Sequence, residues 1–283
     1  MCEAGAFDRH RLDDVTECEL GQRRYSRLDD QRRPAASQGN RPVGQAAARW
    51  WMTEAWDEIA QWWIDAVRDD PRDADDLLDL LDELVVGTGG VTLDLGCGEG
   101  QVMRHLGPPI VGTDASMRLL GHAARTGPVV HGRLPDLGWV RAGMFHRAVG
   151  VGVVELVEDH RLLFEQAASA VCPGGHLVVV MNHPVATAPS SEPLADPSGE
   201  ILWRWGRYLS PGRFVQVADE HEIVMFHRPL GELLDAAAAA GWWLECLIER
   251  GPSAQTIARF PEYRGQEEIP ALLGCRWTRR VSG

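Results

Sequence analysis

The run Val91-Thr92-Leu93-Asp94-Leu95-Gly96-Cys97-Gly98-Glu99-Gly100 constrains the fold more than any other segment. An apolar, β-branched stretch stops at a turn built largely of glycine, which lets the backbone bend sharply and lets a ligand approach it closely. A second apolar run, Pro109-Ile110-Val111-Gly112-Thr113-Asp114, ends in a carboxylate 18 positions after Gly96. In open α/β sheets ligands bind beyond the carboxyl ends of the strands. An acid ending the second strand accepts hydrogen bonds from both hydroxyls of a ribose, and each such charge-assisted bond contributes about 1.5–3 kcal/mol. The pair therefore points to a nucleoside site on a parallel sheet.

The dinucleotide fingerprint is G-x-G-x-x-G. Here Gly96, Gly98 and Gly100 are spaced G-x-G-x-G, Gln101 holds the third dinucleotide position, and Asp94 precedes the first glycine by two residues. A carboxylate there disfavours a pyrophosphate and tolerates a ligand bearing an amino group and a sulfonium. On these residues the chain resembles the class I S-adenosylmethionine (SAM) dependent methyltransferases of the type 11 methyltransferase domain. The resemblance runs from about Val91 to the C-terminus.

That resemblance implies a Rossmann-like α/β fold, with a mostly parallel seven-stranded sheet, helices on both faces, and the last strand antiparallel between strands 5 and 6. It also implies SAM as cofactor. Asp94, Gly96, Cys97, Gly98 and Gly100 correspond to the first motif, with Asp94 near the amino end of the methionine moiety. Asp114, followed by Ala115, corresponds to the ribose-binding acid. Arg133 stands where the family places the acid that bonds the adenine amino group, and the backbone amide of Leu134 remains available to the ring. Val151 and Gly152 correspond to the segment beside the reactive methyl. The Pro173-Gly174-Gly175 turn before an apolar strand also matches.

Strand–helix alternation supports a parallel sheet with right-handed crossovers. Strands are expected over 91–95, 109–114, 129–132, 146–151, 176–181, 242–249 and 272–281, with a further short one over 222–227. Helices are expected over 100–106, from a Ser116 cap to 125, over 161–171 stopped by Cys172-Pro173-Gly174-Gly175, and over 230–240. Glu155, Glu158 and Asp159 read as acids opening the helix at 161, where they suit its dipole. Ahead of the sheet, Met52, Trp56, Ile59, Trp63 and Val67 recur at helical spacing over 46–68, and a second helix is expected over 69–83. Five of the eleven tryptophans fall in the first of these. That helix reads either as core packing or as a lid over the cofactor end.

Three domains are expected: a flexible polar tail over 1–45, a helical lid over 46–88, and a SAM-binding domain over 89–283 with an insertion at 183–220. The tail is too poor in large apolar residues to order itself. Its Arg23, Arg24, Arg27, Arg32 and Arg33 are balanced by nearby acids.

An acceptor oxygen or nitrogen calls for a base only in some chemistries, and histidine is the usual one. His183, at the end of the fifth strand, is a candidate base or a residue fixed in a pre-proline turn. His227 reads as a second pocket residue or a strand end. Tyr208, Trp203 and Trp205 read as acceptor-pocket walls or anchors of the insertion.

The chain has 41 acidic and 28 basic residues, a net charge of −13, and no lysine. This argues against a partner held by its phosphates and excludes a P-loop. Six scattered cysteines form no C-x-x-C pair, so no metal is expected, and reduced thiols suit the cytoplasm. No signal peptide or membrane-spanning run is read. The expected function is SAM-dependent methylation of a small-molecule acceptor. The alternatives are a non-catalytic SAM-binding regulatory or partner protein, and an NAD-dependent oxidoreductase.

Overall fold

The computed structural model describes residues 41–42, 51–69, 76–218 and 221–280. In chain order the elements are β1 (Arg41–Pro42), α1 (Trp51–Asp69), α2 (Leu78–Val85), β2 (Thr92–Leu95), α3 (Gln101–Leu106), β3 (Ile110–Asp114), α4 (Met117–Ala123), β4 (Val129–His131) and β5 (Phe145–Val151). They continue with a 3-10 turn (Val154–Leu156), α5 (His160–Ala170), β6 (Val171–Asn182), α6 (Pro184–Thr187), β7 (Glu192–Ala195) and β8 (Ile201–Arg204). The last are β9 (Gly212–Ala218), β10 (His221–His227), α7 (Leu230–Ala239), β11 (Trp242–Arg250), α8 (Ala254–Arg259), a second 3-10 turn (Pro261–Tyr263) and β12 (Leu272–Arg279). The expected tail over 1–45, with its arginine cluster, lies outside the described residues apart from Arg41–Pro42.

Seven strands form one sheet in the order β11-β12-β6-β5-β2-β3-β4. β2 to β6 are parallel, and β12 runs antiparallel between β6 and β11. This is the expected Rossmann-like order. Every residue of β2 is buried, as a central parallel strand covered on both faces requires. One face packs on α5 and α7 through Phe164, Leu163, Leu233, Trp242 and Trp277, with the Trp242 indole N–H donating to the Phe164 carbonyl at 3.0 Å. The other face packs on α2 through Leu80, Leu81 and Leu84 against Val149, Val178 and Val180.

The Cys172–Gly175 segment does not form the expected helix-ending turn between separate elements. β6 begins at once after α5: Val171, fully buried, pairs with Phe145, and pairing resumes at His176 opposite Arg147. The four intervening residues face His146 alone and so bulge. A Cβ at Gly175 would lie 2.5 Å from the His146 carbonyl oxygen, so the bulge needs a residue without a side chain there. Of the second expected helix, over 69–83, positions 70–75 lie outside the described residues, and α2 spans Leu78–Val85.

The 183–220 segment is more ordered than its turn residues suggest. It holds α6, the hairpin β7–β8 and β9. β9 pairs with β10 and with β1, so its β-structure continues to His227.

Gly274 of β12 sets how closely α2 can approach: a Cβ there would meet Leu84 Cδ1 at 2.7 Å and Leu80 Cδ1 at 2.9 Å. Gly274→Val is expected to destabilise the fold by about 1–3 kcal/mol through overpacking, read as a lower urea midpoint with an unchanged slope.

Candidate functional site

The carboxyl ends of β2, β3 and β5 lie side by side, and the loops that leave them form one cluster. Asp114 is the joint. Its Oδ2 accepts from Gly98 N at 3.0 Å, and its Oδ1 accepts from Ser116 N at 2.8 Å. Burial raises its pKa, opposed by those backbone N–H bonds. The carboxylate thus ties the glycine turn after β2 to the start of α4, where Ser116 Oγ caps the helix by accepting from Leu119 N at 3.2 Å.

The glycines divide their tasks. A Cβ at Gly96 would meet Val153 Cγ2 at 2.4 Å, and one at Gly100 would meet the Ala123 backbone at 2.9 Å. Both positions exist for packing of the turn against its neighbours. Gly98 is different: among the described residues only the Trp63 indole nitrogen lies near the position of its Cβ, at 3.9 Å, which leaves room there for a ligand. At Gly152, φ +63°, a Cβ would likewise meet no atom within 4 Å. Its N–H donates to Val180 O at 2.8 Å, which fixes the segment after Val151 beside the turn.

Asp94 is buried, and among the described residues its Oδ2 has no hydrogen-bond partner. Burial first, and the nearby Asp114 charge second, push its pKa up to about 8. Glu99 is a further acid in the turn, but Arg104 engages both of its oxygens, at 2.6 and 2.7 Å, and also donates to its carbonyl. The Cys97 thiol points away from the cleft into a core cluster with Met103, Ile110, Leu120 and Ala123, and burial raises its pKa. Only its backbone belongs to the turn: Gly112 lacks a side chain because a Cβ there would sit 2.6 Å from that sulfur.

After β4, Leu134 is half-buried, with Cδ1 3.9 Å from the position of a Gly96 Cβ. Arg133 is exposed. The Ala115 carbonyl accepts from His131 Nε2 at 2.9 Å, which braces the end of β3 against β4.

His183, His227 and Tyr208 form a separate cluster where the 183–220 segment meets the sheet. His183 Nδ1 accepts from Val185 N at 3.1 Å, and its Nε2 therefore donates to Glu249 at 2.8 Å. His227 Nε2 donates to the Tyr208 carbonyl at 2.7 Å, and its Nδ1 pairs with the Thr187 hydroxyl at 3.3 Å. The Tyr208 hydroxyl accepts from Leu230 N at 3.2 Å. Burial lowers the pKa of both histidines and keeps them neutral. Every ring nitrogen is engaged within the fold, so these side chains brace the segment and present no free nitrogen to an acceptor. Trp205 packs edge-on to Tyr208 and is mostly exposed.

Of the three acids expected to open the helix, only Asp159 does so, accepting from Leu162 N at 2.9 Å. Glu155 is buried in the 3-10 turn. Its Oε1 accepts from Asn182 N and Nδ2, its Oε2 has no partner, and burial raises its pKa. Beside it, the buried Arg228 donates to the carbonyls of Val154, Phe226, Val157 and Glu158. This knot holds the segment that follows Gly152.

The residue the sequence did not disclose is Asp57 of α1. Its Oδ1 accepts from Ser116 Oγ at 2.5 Å and from Arg118 N at 3.1 Å. The only sequence signal for it is a place on the same helical face as Ala60 and Ile64.

The family model described as a methyltransferase domain matches residues 67–225, more than half of the chain. Among solved structures, an S-adenosylmethionine dependent methyltransferase from Mesorhizobium loti is 26% identical, with 75% of this chain and 100% of that chain covered and a TM-score of 0.62. A putative S-adenosylmethionine dependent methyltransferase from Listeria monocytogenes is 19% identical over 72% of this chain and 96% of that one, with a TM-score of 0.61. The putative methyltransferase complexed with the Trm112 methyltransferase activator of Haloferax volcanii gives 15%, 82% and 99%, with a TM-score of 0.58. The last two likenesses concern the fold alone. No curated protein matches.

The Asp94 environment has a measurable consequence. Between pH about 4 and about 8 the folded chain retains a proton on Asp94 that the unfolded chain has released. Stability contributed by this group therefore falls as pH rises through that window. Asp94→Asn removes the effect, so the urea midpoint of the variant minus that of the wild type is expected to grow by at least about 0.5 M from pH 5 to pH 8.5. A pH-independent difference contradicts the buried, proton-holding carboxyl.

Proposed function

The chain belongs to the methyltransferase domain family, and from that premise we propose that it transfers a methyl group from SAM to a small-molecule acceptor. The observation that carries the reading is the Asp114 carboxylate, already held at Gly98 N and Ser116 N beside a turn whose only open glycine face is Gly98. The residues fit the cofactor. Asp114 has lone pairs left for the two ribose hydroxyls. The unpartnered Asp94 Oδ2 suits the amino end of the methionine moiety, because a neighbouring ammonium favours its ionised form. The open faces at Gly98 and Gly152 leave room for close approach. The exposed Arg133 contributes no acid toward adenine, which leaves the Leu134 amide for the ring.

When bound, SAM supplies an electrophilic methyl on a sulfonium, already a good leaving group. The chain then has to align the acceptor with that methyl and keep water out. α1, as the lid, serves the second task with Trp56, Trp63, Ala60 and Ile64 packed on Leu119. Because His183 and His227 have no free nitrogen, the acceptor enters as a nucleophile that needs no histidine base. The net charge of −13 favours an acceptor that is not a polyanion. Among the described residues no helix is long and apolar enough to cross a membrane, and Cys97, Cys172, Cys246 and Cys275 are free thiols; a cytoplasmic setting accords with the latter.

Calorimetric titration with SAM, S-adenosylhomocysteine (SAH) and NAD tests the reading. Micromolar binding of the first two and none of NAD is expected, with Asp114→Ala at least tenfold weaker while still folded. Binding of NAD alone overturns the cofactor assignment. Turnover with small-molecule acceptors then separates the enzyme from a binding protein.

At pH 7 SAH is expected to drive about one proton off Asp94, because its ammonium stabilises the carboxylate whose free pKa is about 8. Calorimetry in buffers of different ionisation enthalpy reads that proton directly. Asp94→Asn is expected to abolish its release and to weaken binding.

A further inference from the structure

α1 touches the site at two places, and both belong to the chain of hydrogen bonds that holds Asp114. Asp57 accepts from the Ser116 hydroxyl at 2.5 Å, while the Ser116 backbone N–H donates to Asp114. Trp63 lies over Gly98, whose N–H donates to the other Asp114 oxygen. The helix is thus registered on the two residues that grip the ribose acid. A third tie runs back the other way, from Arg118 Nη1 to the Asp57 carbonyl at 2.8 Å.

The course of the helix fits this. Asp57 is bound to the start of α4, which follows β3. Five residues on, about 7–8 Å along a helix, the Trp62 ring lies 4.6 Å from His221 at the start of β10. β10 belongs to a separate sheet with β9 and β1, and Trp63 lies beside Gly98, so α1 runs past the glycine turn that follows β2.

The electrostatics are those of a contact held against resistance. Asp57 and Asp114 are like charges, and Asp57 helps raise the Asp114 pKa. The Ser116 hydroxyl bond, followed by Arg118, keeps Asp57 itself ionised, below the usual carboxylate range. Ser116 Oγ and Arg118 N both donate to the Asp57 carboxylate beside that like charge.

We propose that Asp57 is a positioning residue for the cofactor pocket: through Ser116 it fixes α1 across the glycine turn as the wall that shuts the nucleoside end from water. The inference rests on the SAM reading above and adds to it the residue on which closure depends.

The test uses the full chain with SAH as probe. For Asp57→Ala the SAH Kd is expected to rise about tenfold, chiefly through faster dissociation, with the thermal midpoint of the free protein within a few degrees of wild type. Amide hydrogen exchange over residues 56–65 is expected to slow on SAH addition in the wild type and not in Asp57→Ala. Asp57→Asn keeps an acceptor for Ser116 and is expected to stay within about threefold of wild type in Kd. Arg118→Ala, an exposed change, is expected to weaken SAH about threefold in the same direction. An Asp57→Ala protein that binds SAH like wild type, with the same protection of 56–65, overturns the inference and leaves the SAM reading standing. A wild-type chain that fails to bind SAH overturns both.

Discussion

The candidate site depends on one carboxylate. Asp114 accepts one backbone N–H on each oxygen, from Gly98 and from Ser116, and charge-assisted bonds of this kind contribute about 1.5–3 kcal/mol each. They join two loops that come from different strands. Remove the carboxylate and the glycine turn, the cap of α4 and the seat of α1 lose their common reference. The same bonds orient the remaining lone pairs outward before any ligand arrives. Under the proposed reading the same carboxylate is both a structural fastener and a preorganised acceptor for a ribose, and the two roles need not be chosen between.

Around that fastener the structure separates rigid from open surface. Gly96 and Gly100 are filled from behind by Val153 and Ala123, and Glu99 is neutralised by Arg104. The Glu155–Asn182 and Arg228–carbonyl bonds fix the segment after Gly152. What is left open is Gly98 and Gly152, with Asp94 buried and short of a partner between the strands. An unpartnered buried carboxyl costs stability, and a cation beside it reverses that cost. The site is thus less stable empty than a packed alternative, which is the usual mark of a place kept for a ligand.

The parts of this arrangement that were legible in the sequence are the local ones. The strand before Gly96, the acid at the end of the next strand, the Ser116 cap and the alternation that builds a parallel sheet all lie within short windows, where periodicity and turn chemistry act. The parts that were not legible are contacts between distant residues or orientations within a turn. Asp57 and Ser116 are 59 positions apart. Cys97 sits in the motif, yet its thiol turns inward because Gly112 makes room for it. Glu155 has the look of a helix-opening acid, and only the fold shows it buried against Asn182. The bulge at 172–175 reads as a helix stop because Pro and Gly serve both ends. His183 and His227 stand at strand ends, where a base is expected, but what each ring nitrogen bonds is a tertiary matter.

Those two histidines bear on the chemistry. The nitrogen that would take a proton is Nδ1, which in His183 already accepts from Val185 N and in His227 is paired with the Thr187 hydroxyl. Burial lowers both pKa values, so protonation is disfavoured a second time. Their common effect is mechanical: Thr187 and Tyr208 link α6, the 183–220 segment and the start of α7 through His227 and Leu230. A methyl on a sulfonium needs alignment more than it needs a base. Under the proposed chemistry, side chains that brace an acceptor wall contribute to rate, because a wall displaced by about 1 Å misaligns the attack and costs about as much as a missing base. If α1 closes the nucleoside end as proposed, with this wall braced by its bonds, the freedom left in the site lies in the acceptor itself.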